Sequence, residues 1–273
     1  MQAMEGKLTA VPRRIASHAL LKRAPAEPAT RRRMMQWVGF AVVGTGAAYA
    51  VRESTVWQVA VADVATRTGE IREIALPDGT RVVLGTATAV DLHFDASERR
   101  LVLRAGEVLV TTAPDPQPLH RPFRVQNLHG TVEALGTRFT VRQDADVSQV
   151  MVFEGAVKIR PARSTEAWRQ VDAGQSATFS DDRMQAPAGV PEHAAAWASG
   201  KLVAQDMRIE DFLATLGRYR TGVLQCDPAV ADLQVTGVFP LQDTDRALVN
   251  LTLGLPVELV YRTRYWVTVR PRS

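Results

Sequence analysis

The residues that could perform chemistry are few and scattered along the chain. The sequence holds five histidines and one cysteine, and no two histidines lie four positions apart, as a helical metal-binding pair would. A single cysteine excludes an intramolecular disulfide and a cysteine zinc site. The segment Gly174 to Thr178 lacks the spacing of a nucleophile elbow, and no phosphate-binding loop or dinucleotide fingerprint occurs. The sequence therefore predicts a protein that is not an enzyme and that needs no cofactor or metal.

The element that organises the chain is an uncharged apolar run from Met34 to Val51. As a helix it would be about 27 Å long at ~1.5 Å per residue, close to the ~30 Å hydrocarbon core of a bilayer. Trp37 and Tyr49 lie near its two ends, where interfacial aromatic side chains are enriched. Residues 34–51 are therefore predicted to form a single transmembrane helix.

Charge predicts the orientation of this helix. Residues 1–52 contain nine Lys or Arg and two Glu, whereas the remaining 221 residues contain 24 basic and 27 acidic side chains. Arg31, Arg32 and Arg33 stand directly before the apolar run. The positive-inside rule then keeps residues 1–33 in the cytoplasm as a short tail and exports everything after Val51. The later arginines alternate with acids, so we expect no nucleic-acid partner.

Hydrophobic residues recur with a period of two from residue 56 to residue 179. Val90, Leu92 and Phe94, for example, alternate with polar residues, which is typical of half-buried strands. Asp78-Gly79 between apolar runs predicts a type I′ hairpin, in which both central residues have positive φ. Residues 56–179 are therefore predicted to be an all-β domain.

Seven short motifs in this β region follow one another in an order typical of one family. They are Thr68-Gly69-Glu70, Leu76 to Thr80, Arg104 to Glu107, Arg121 to Val125, Leu135 to Val141, Phe153 to Gly155 and Ala173 to Gln175. Through them the chain resembles the FecR family of transmembrane sigma-factor regulators. Phe123 and Phe139 are expected in the core, and Gly79, Gly106 and Gly155 in turns. The family-motif residues, all with expected structural roles, are Leu76, Asp78, Gly79, Gly106, Glu107, Pro122, Phe123, Gly136, Thr137, Phe139, Glu154, Gly155, Gly174 and Gln175.

A predicted linker, residues 180–196, precedes a second module at residues 197–273. Apolar residues from Ile209 to Tyr219 recur at helical spacing, with Asp206 as the expected N-cap, and a second helix follows Asp243. Each helix lies between predicted strands, so two β-α-β units form a small α+β domain. This module resembles the secretin/TonB short N-terminal domain through Gly237, Phe239, Ala247 and Leu248.

The FecR resemblance implies a single-pass protein of the bacterial inner membrane, with its C-terminal domains in the periplasm. It implies two partners: an extracytoplasmic-function sigma factor on the cytoplasmic side, and the signalling domain of a TonB-dependent outer-membrane transporter, as in iron-uptake regulation, on the periplasmic side. The expected transporter contact is an exposed sheet edge in strands 257–261 and 265–269. Its candidate residues are Val257, Leu259, Tyr261, Tyr265 and Val267.

Alternatives remain open for the sigma-factor contact and for the membrane anchor. The family's sigma-binding domain is longer than residues 1–33, so the sigma contact is made by a minimal peptide, by a separate polypeptide, or by residues upstream of a misplaced start. Ala48-Tyr49-Ala50 resembles a small-x-small cleavage site. Cleavage after Ala50 would release a soluble periplasmic β-rich binding protein. The small α+β domain alone also fits a structural module of an envelope complex.

Overall fold

The computed structural model describes residues 62–272, which all lie within one compact unit of the chain. The predicted tail, the apolar run, Arg31, Arg32 and Arg33, and residues 56–61 lie outside the described residues. Within residues 62–272, no helix has the length and apolar character needed to cross a membrane. We call residues 62–189 the β domain, residues 190–200 the connecting segment and residues 201–272 the C-terminal domain.

The β domain is built from short strands, as the alternating pattern predicts. Inward side chains are Val, Leu, Ile and Phe, and their neighbours along each strand are polar, so each strand buries one face. The strands are β1 Val64–Ala65, β2 Arg72–Ala75, β3 Arg81–Leu84, β4 Ala89–Phe94, β5 Arg99–Thr111, β6 Phe123–Asn127, β7 Gly130–Ala134, β8 Arg138–Gln143, β9 Ser148–Glu154, β10 Ala156–Pro161, β11 Arg169–Asp172, β12 Gln175–Phe179 and β13 Ala188–Gly189.

The long strand β5 joins the two halves of this domain. Its first half pairs antiparallel with β4 and parallel with β6, and its second half pairs antiparallel with β3 and β8. The main path of the sheet runs β11-β10-β7-β6-β5-β8-β9-β12-β13. Side chains from both halves, including the fully buried Phe123, Phe139 and Phe179, form one hydrophobic cluster. Both halves of the sheet therefore share a single core.

Gly106, predicted to lie in a turn, instead lies in the middle of β5, at the point where pairing passes from one half of the sheet to the other. Its φ is +88°, and a Cβ there would be 2.3 Å from Thr88 Oγ1 and 2.6 Å from Thr88 Cα. The register between β4 and β5 shifts next to it, between Ala89 and Val90. A bulge with left-handed backbone requires glycine for the same reason that a turn does. The residue type alone therefore could not distinguish a bulge from a turn at this position.

The hairpin predicted at Asp78-Gly79 is present, between β2 and β3. The expected type I′ geometry is wrong, because Gly79 has positive φ (+85°) and Asp78 does not. Leu76 accepts from the Gly79 N–H at 2.9 Å and donates its own N–H to Thr80 O at 2.8 Å. The connection is thus a three-residue loop with one left-handed glycine.

The C-terminal domain has two helices and two small sheets. Its elements are β14 Lys201–Arg208, α1 Ile209–Gly217, β15 Val223–Cys226, β16 Gln234–Pro240, α2 Thr244–Gly254, β17 Val257–Thr263 and β18 Trp266–Pro271. Strands β14 and β16 form an antiparallel pair, and the second sheet has the order β15-β18-β17. Phe212, Leu216 and Leu248 of the helices are buried in one cluster with Val257 and Val267 of the second sheet. The described residues are thus mostly β with two α-helices, and each helix lies between strands as predicted.

The two predicted helix caps have different outcomes. Asp243 caps α2 as predicted, because its carboxylate accepts from the Arg246 N–H at 2.9 Å. Asp206 is not the cap of α1, which begins at Ile209 after the extended residue Arg208. Asp206 lies instead at an irregularity of β14 with φ +47°, where its N–H donates to Thr236 Oγ1 at 3.0 Å. An Asp stabilises a bulge by the same local hydrogen bonding that suits it to a cap.

Residues 180–196, predicted as a linker, are partly ordered against the β domain. Gln185 N–H donates to Thr178 O at 2.9 Å, and β13 pairs with β12. A short 3₁₀ turn, Ala196–Ser199, follows. The prolines and small residues that suggested a linker therefore occur in a segment that folds back on β12. The connection between the two domains is limited to residues 190–200.

Candidate functional site

In the described part of the chain, the residues with catalytic potential do not form an accessible site. Within residues 62–272, no group of three His, Cys, Asp or Glu side chains could hold a metal ion. His129 Nδ1 lies 2.9 Å from Ser148 Oγ, which also accepts from Asn127 Nδ2 at 2.8 Å. Ser148 is fully buried and His129 is 4% exposed. A substrate could not reach this serine, so the pair holds the loop between β6 and β7 against β9.

A buried ionic cluster surrounds the family-motif residue Asp78. Arg99, 3% exposed, places Nη1 2.7 Å from Asp78 Oδ2 and donates through Nε to Arg121 O at 3.0 Å. Asp115 accepts from Arg121 Nη2 at 2.9 Å. This hydrogen bond is the main cause of a pKa for the Asp115 carboxyl well below its ordinary value. Thr80 donates both its N–H and its hydroxyl to Asp78. The cluster ties the β2–β3 turn to the connection between β5 and β6.

The remaining family-motif residues lie in the core or near the ends of strands. Leu76, Phe123 and Phe139 are buried in the core. Thr137 is buried and donates its hydroxyl to Ala156 O at 2.8 Å. The others stand at or beside the ends of strands, and these are Pro122, Gly136, Glu154, Gly155, Gly174 and Gln175. Their placement assigns them to loop and strand geometry.

Glu107 is the motif residue with a contact outside the β domain. Its carboxylate Oε2 lies 2.9 Å from Nη2 of Arg218, at the end of α1. Burial alone would lower the pKa of Arg218, but the Glu107 charge reverses the shift and raises it. Thr86 Oγ1 donates to Arg218 O at 3.0 Å and accepts from the Gly69 N–H at 2.9 Å. Polar contacts from two parts of the β domain, Glu107 and Thr86, therefore converge on the C-terminal end of α1.

Apolar packing reinforces this junction. Leu109 of β5 is buried in the same cluster as Trp197, Leu202 and Phe212 rather than in the core of its own domain. Val83 and Phe153 of the β domain pack against that cluster as well. A Cβ on Gly85 would lie 3.2 Å from Trp197 Cζ3, which leaves little room for any larger residue. The two domains thus share a hydrophobic core through the connecting segment, which the sequence does not predict.

The predicted partner-binding residues fall into two groups in the structure. Val257 and Val267 are buried in the core, and Leu259 is half-buried, whereas Tyr261 and Tyr265 are about half exposed at 49% and 48%. The expected sheet edge at residues 265–269 is wrong, because β18 is the central strand between β15 and β17. The parallel pairing of β15 with β18 covers that side. The expected edge at residues 257–261 is present, because β17 is an outer strand of this sheet.

Backbone geometry identifies the groups that β17 leaves available. Arg272 N–H donates to Pro256 O at 3.0 Å, and in an antiparallel ladder hydrogen-bonded pairs alternate with non-bonded ones. Leu259 and Tyr261 therefore direct their N–H and C=O groups away from β18. Val257 has the same orientation, but its carbonyl accepts from Arg272 Nη2 at 3.1 Å. The open edge is thus centred on Leu259 and Tyr261.

Two arginines beside this edge lie on aromatic rings. The Arg262 guanidinium is 5.2 Å from the Trp266 ring centre, and that of Arg264 is 4.5 Å from the Tyr265 ring centre. Within the described part of the chain, neither has a carboxylate partner, whereas Arg220 and Arg270 are paired with Asp245 and Glu258. Stacking holds the two cations in place at an exposed hairpin end.

Comparison with protein families matches residues 62–158 to the model described as FecR protein. The chain therefore contains a FecR domain at residues 62–158. This FecR domain begins at the first described residue and includes β1 to β9 and the first half of β10. The ionic cluster, Gly106 and Glu107 all fall within it. Comparison with curated protein sequences finds no match.

The fold of this FecR-domain protein is shared with solved structures. A crystal structure of a candidate anti-sigma factor from Parabacteroides distasonis ATCC 8503 is similar with a TM-score of 0.61 and 20% identity, over 77% of this chain and 99% of that one. A second such structure from the same strain has a TM-score of 0.58 and 19% identity, over 77% and 98%. A share of 77% is larger than the β domain alone, so the common fold extends into the C-terminal domain.

Proposed function

We propose that this FecR-domain protein is a membrane-anchored regulator of an extracytoplasmic-function sigma factor. The FecR domain at residues 62–158 carries the proposal, because FecR proteins are sigma-factor regulators. The shared fold with two candidate anti-sigma factors supports it. Regulation of this kind depends on recognition between proteins, which suits a chain whose chemistry-bearing residues are scattered or buried.

In this proposal the chain acts from both sides of the bacterial inner membrane. Residues 1–33 contact the sigma factor in the cytoplasm as a short peptide or together with a separate polypeptide, and residues 34–51 span the bilayer. The FecR and C-terminal domains lie in the periplasm. The concentration of basic residues before the apolar run supports this orientation.

The proposed periplasmic partner is the signalling domain of a TonB-dependent outer-membrane transporter. The open edge of β17 supports it, because an extended partner strand can bond to the outward N–H and C=O groups of Leu259 and Tyr261. Arg262 and Arg264 favour a partner strand with acidic side chains, since opposite charges on neighbouring strands contribute ~0.2–1 kcal/mol per pair.

A promoter experiment tests the regulatory part of the proposal. The gene is deleted, and transcription from sigma-dependent promoters is measured before and after the full chain is restored. We expect one sigma regulon to change on deletion and to recover on restoration. A reporter enzyme active only outside the cytoplasm, joined after Ser273, should be active. An unchanged transcriptome would contradict the regulatory role. Activity of a second reporter enzyme, one that works only in the cytosol, at the same position would contradict the orientation.

A substitution at Tyr261 tests the edge contact. Tyr261→Pro removes an outward N–H that β18 does not use, and proline is tolerated on edge strands. We expect binding of the transporter signalling domain to fall at least tenfold. Tyr261→Ala removes the same side chain and keeps the N–H, so its affinity for the signalling domain should fall much less than that of Tyr261→Pro. Equal affinities for the two variants would exclude strand addition at this edge.

The cleavage motif at Ala48-Tyr49-Ala50 favours one alternative function. If the chain is cut after Ala50, the product is a soluble periplasmic β-rich binding protein. N-terminal sequencing of the protein from cells distinguishes the two, since a mature terminus at Val51 selects the released form and an intact N-terminus selects the anchored form.

A further inference from the structure

A cleft of about 410 Å³ lies between the two domains, beside the Glu107–Arg218 ion pair. It is lined by Met151 of the FecR domain, by Trp197 of the connecting segment, and by Leu202 and Met207 of the C-terminal domain, among others. Its volume falls in the ~300–1,000 Å³ range of small-molecule sites, which commonly occur between domains. Methionine side chains can adapt to ligands of different shapes. The cleft therefore has the size and apolar surface of a ligand site.

Two polar groups on the lining make no hydrogen bond within the described residues. Tyr219 is 4% exposed and lines the cleft, yet its hydroxyl makes no hydrogen bond within residues 62–272. Burial and then the nearby Glu107 charge raise the pKa of this phenol, so it keeps its proton. The Trp197 indole N–H is also buried without an acceptor. Buried donors are nearly always satisfied, so the Trp197 N–H indicates an acceptor that the described residues do not supply.

The charges on the lining are mostly positive. Arg142, Lys201 and Arg218 line the cleft, and the carboxylate among the lining residues, Glu107, is already paired with Arg218 at 2.9 Å. Arg142 is paired with Asp144 at 2.9 Å. Lys201 is exposed and has no ion-pair partner within residues 62–272. An anionic group is therefore the acceptor that these charges favour.

We propose that this cleft binds a small carboxylate with an apolar body. The apolar part packs against Met151, Met207 and Leu202, and the carboxylate accepts a hydrogen bond from the Tyr219 hydroxyl while Lys201 neutralises its charge. This site does not depend on the proposed sigma-factor role. Because both domains line the cleft, a bound ligand stabilises the junction between them.

Calorimetric titration of the full chain tests the proposal with two matched probes. The probes are 3-phenylpropionate and 3-phenyl-1-propanol, which share an apolar body and differ in charge. We expect the acid to bind at least tenfold more tightly than the alcohol. Tyr219→Phe should weaken acid binding about tenfold, which is the loss expected for one hydrogen bond to a charged group. Tyr261→Phe, a tyrosine outside the cleft, should leave the affinity unchanged.

A second variant keeps the test decisive if Tyr219→Phe alters folding. Lys201→Glu reverses an exposed charge at the cleft, so it should fold normally and weaken acid binding about tenfold while affecting the alcohol little. Absence of acid binding at millimolar concentration would overturn the proposal. So would an acid affinity that neither Tyr219→Phe nor Lys201→Glu changes.

Discussion

Replacement of Gly106 by alanine should cost a large part of the stability of the FecR domain. At φ +88° the new Cβ would stand 2.3 Å from Thr88 Oγ1 and 2.8 Å from Thr88 Cβ. The Thr88 hydroxyl donates to Glu107 O at 3.1 Å and accepts from Glu107 N–H at 3.0 Å, so it cannot move without losing these bonds. The substitution therefore combines backbone strain, overpacking and lost hydrogen bonds.

The expected magnitude follows from these three contributions. Left-handed backbone costs an L-residue ~1–2 kcal/mol, overpacking costs ~1–3 kcal/mol, and each lost hydrogen bond costs ~0.5–1.5 kcal/mol. We expect Gly106→Ala to lower the free energy of unfolding by about 3–6 kcal/mol, against a typical total of ~5–15 kcal/mol. Urea unfolding of the full chain, followed by circular dichroism, measures the difference.

Gly174→Ala is the matched control for this experiment. Gly174 has φ +79°, but a Cβ there meets nothing within 4 Å. Gly174→Ala should therefore lower the free energy of unfolding only by the backbone contribution of ~1–2 kcal/mol. If both variants were destabilised equally, the contact between β5 and Thr88 would contribute nothing, and the account of β5 as a tightly packed shared strand would be wrong.

Three further experiments test the ionic cluster and the junction. The pKa of Asp115 is depressed in the folded state, so its stabilisation is present above the ordinary value of ~3.9 and is lost as the pH falls below it. Asp115→Asn should therefore flatten the acid limb of a plot of unfolding free energy against pH, and an unchanged limb would contradict this. Glu107→Gln and Arg218→Met should each cost about 1–3 kcal/mol, with a double-mutant coupling above ~0.5 kcal/mol; additive effects would mean that the ion pair contributes nothing. Trp197→Ala should cost about 3–5 kcal/mol, and a loss below ~1 kcal/mol would exclude a shared core.

Local patterns account for the parts of the structure that could be predicted. Alternation located the strands, helical spacing located α1 and α2, and Asp243 identified a cap, because each depends on residues a few positions apart. The same local signals were ambiguous at Gly106 and Asp206. Glycine permits positive φ in a bulge as well as in a turn, and aspartate bonds to nearby backbone in either setting.

The contacts that define the candidate sites depend on residues far apart in the chain. Glu107 and Arg218 are separated by 111 positions, and nothing in either neighbourhood indicates the other. The position of β18 in the centre of its sheet depends on parallel pairing with β15, which follows from topology and not from alternation. Leu109 has the pattern of an ordinary strand residue, and its burial against Trp197 becomes evident only in the folded chain.

The placement of Leu109 limits how this protein can be shortened or recombined. A chain that stopped at Phe179 would leave Leu109, Val83 and Phe153 facing water, and such an apolar patch favours aggregation. Exchange of the C-terminal domain with that of a relative would preserve solubility only if the residues around Leu109 were exchanged together with that domain. Natural or engineered hybrids should therefore be joined at the N-terminal end of the FecR domain rather than between the β domain and the C-terminal domain.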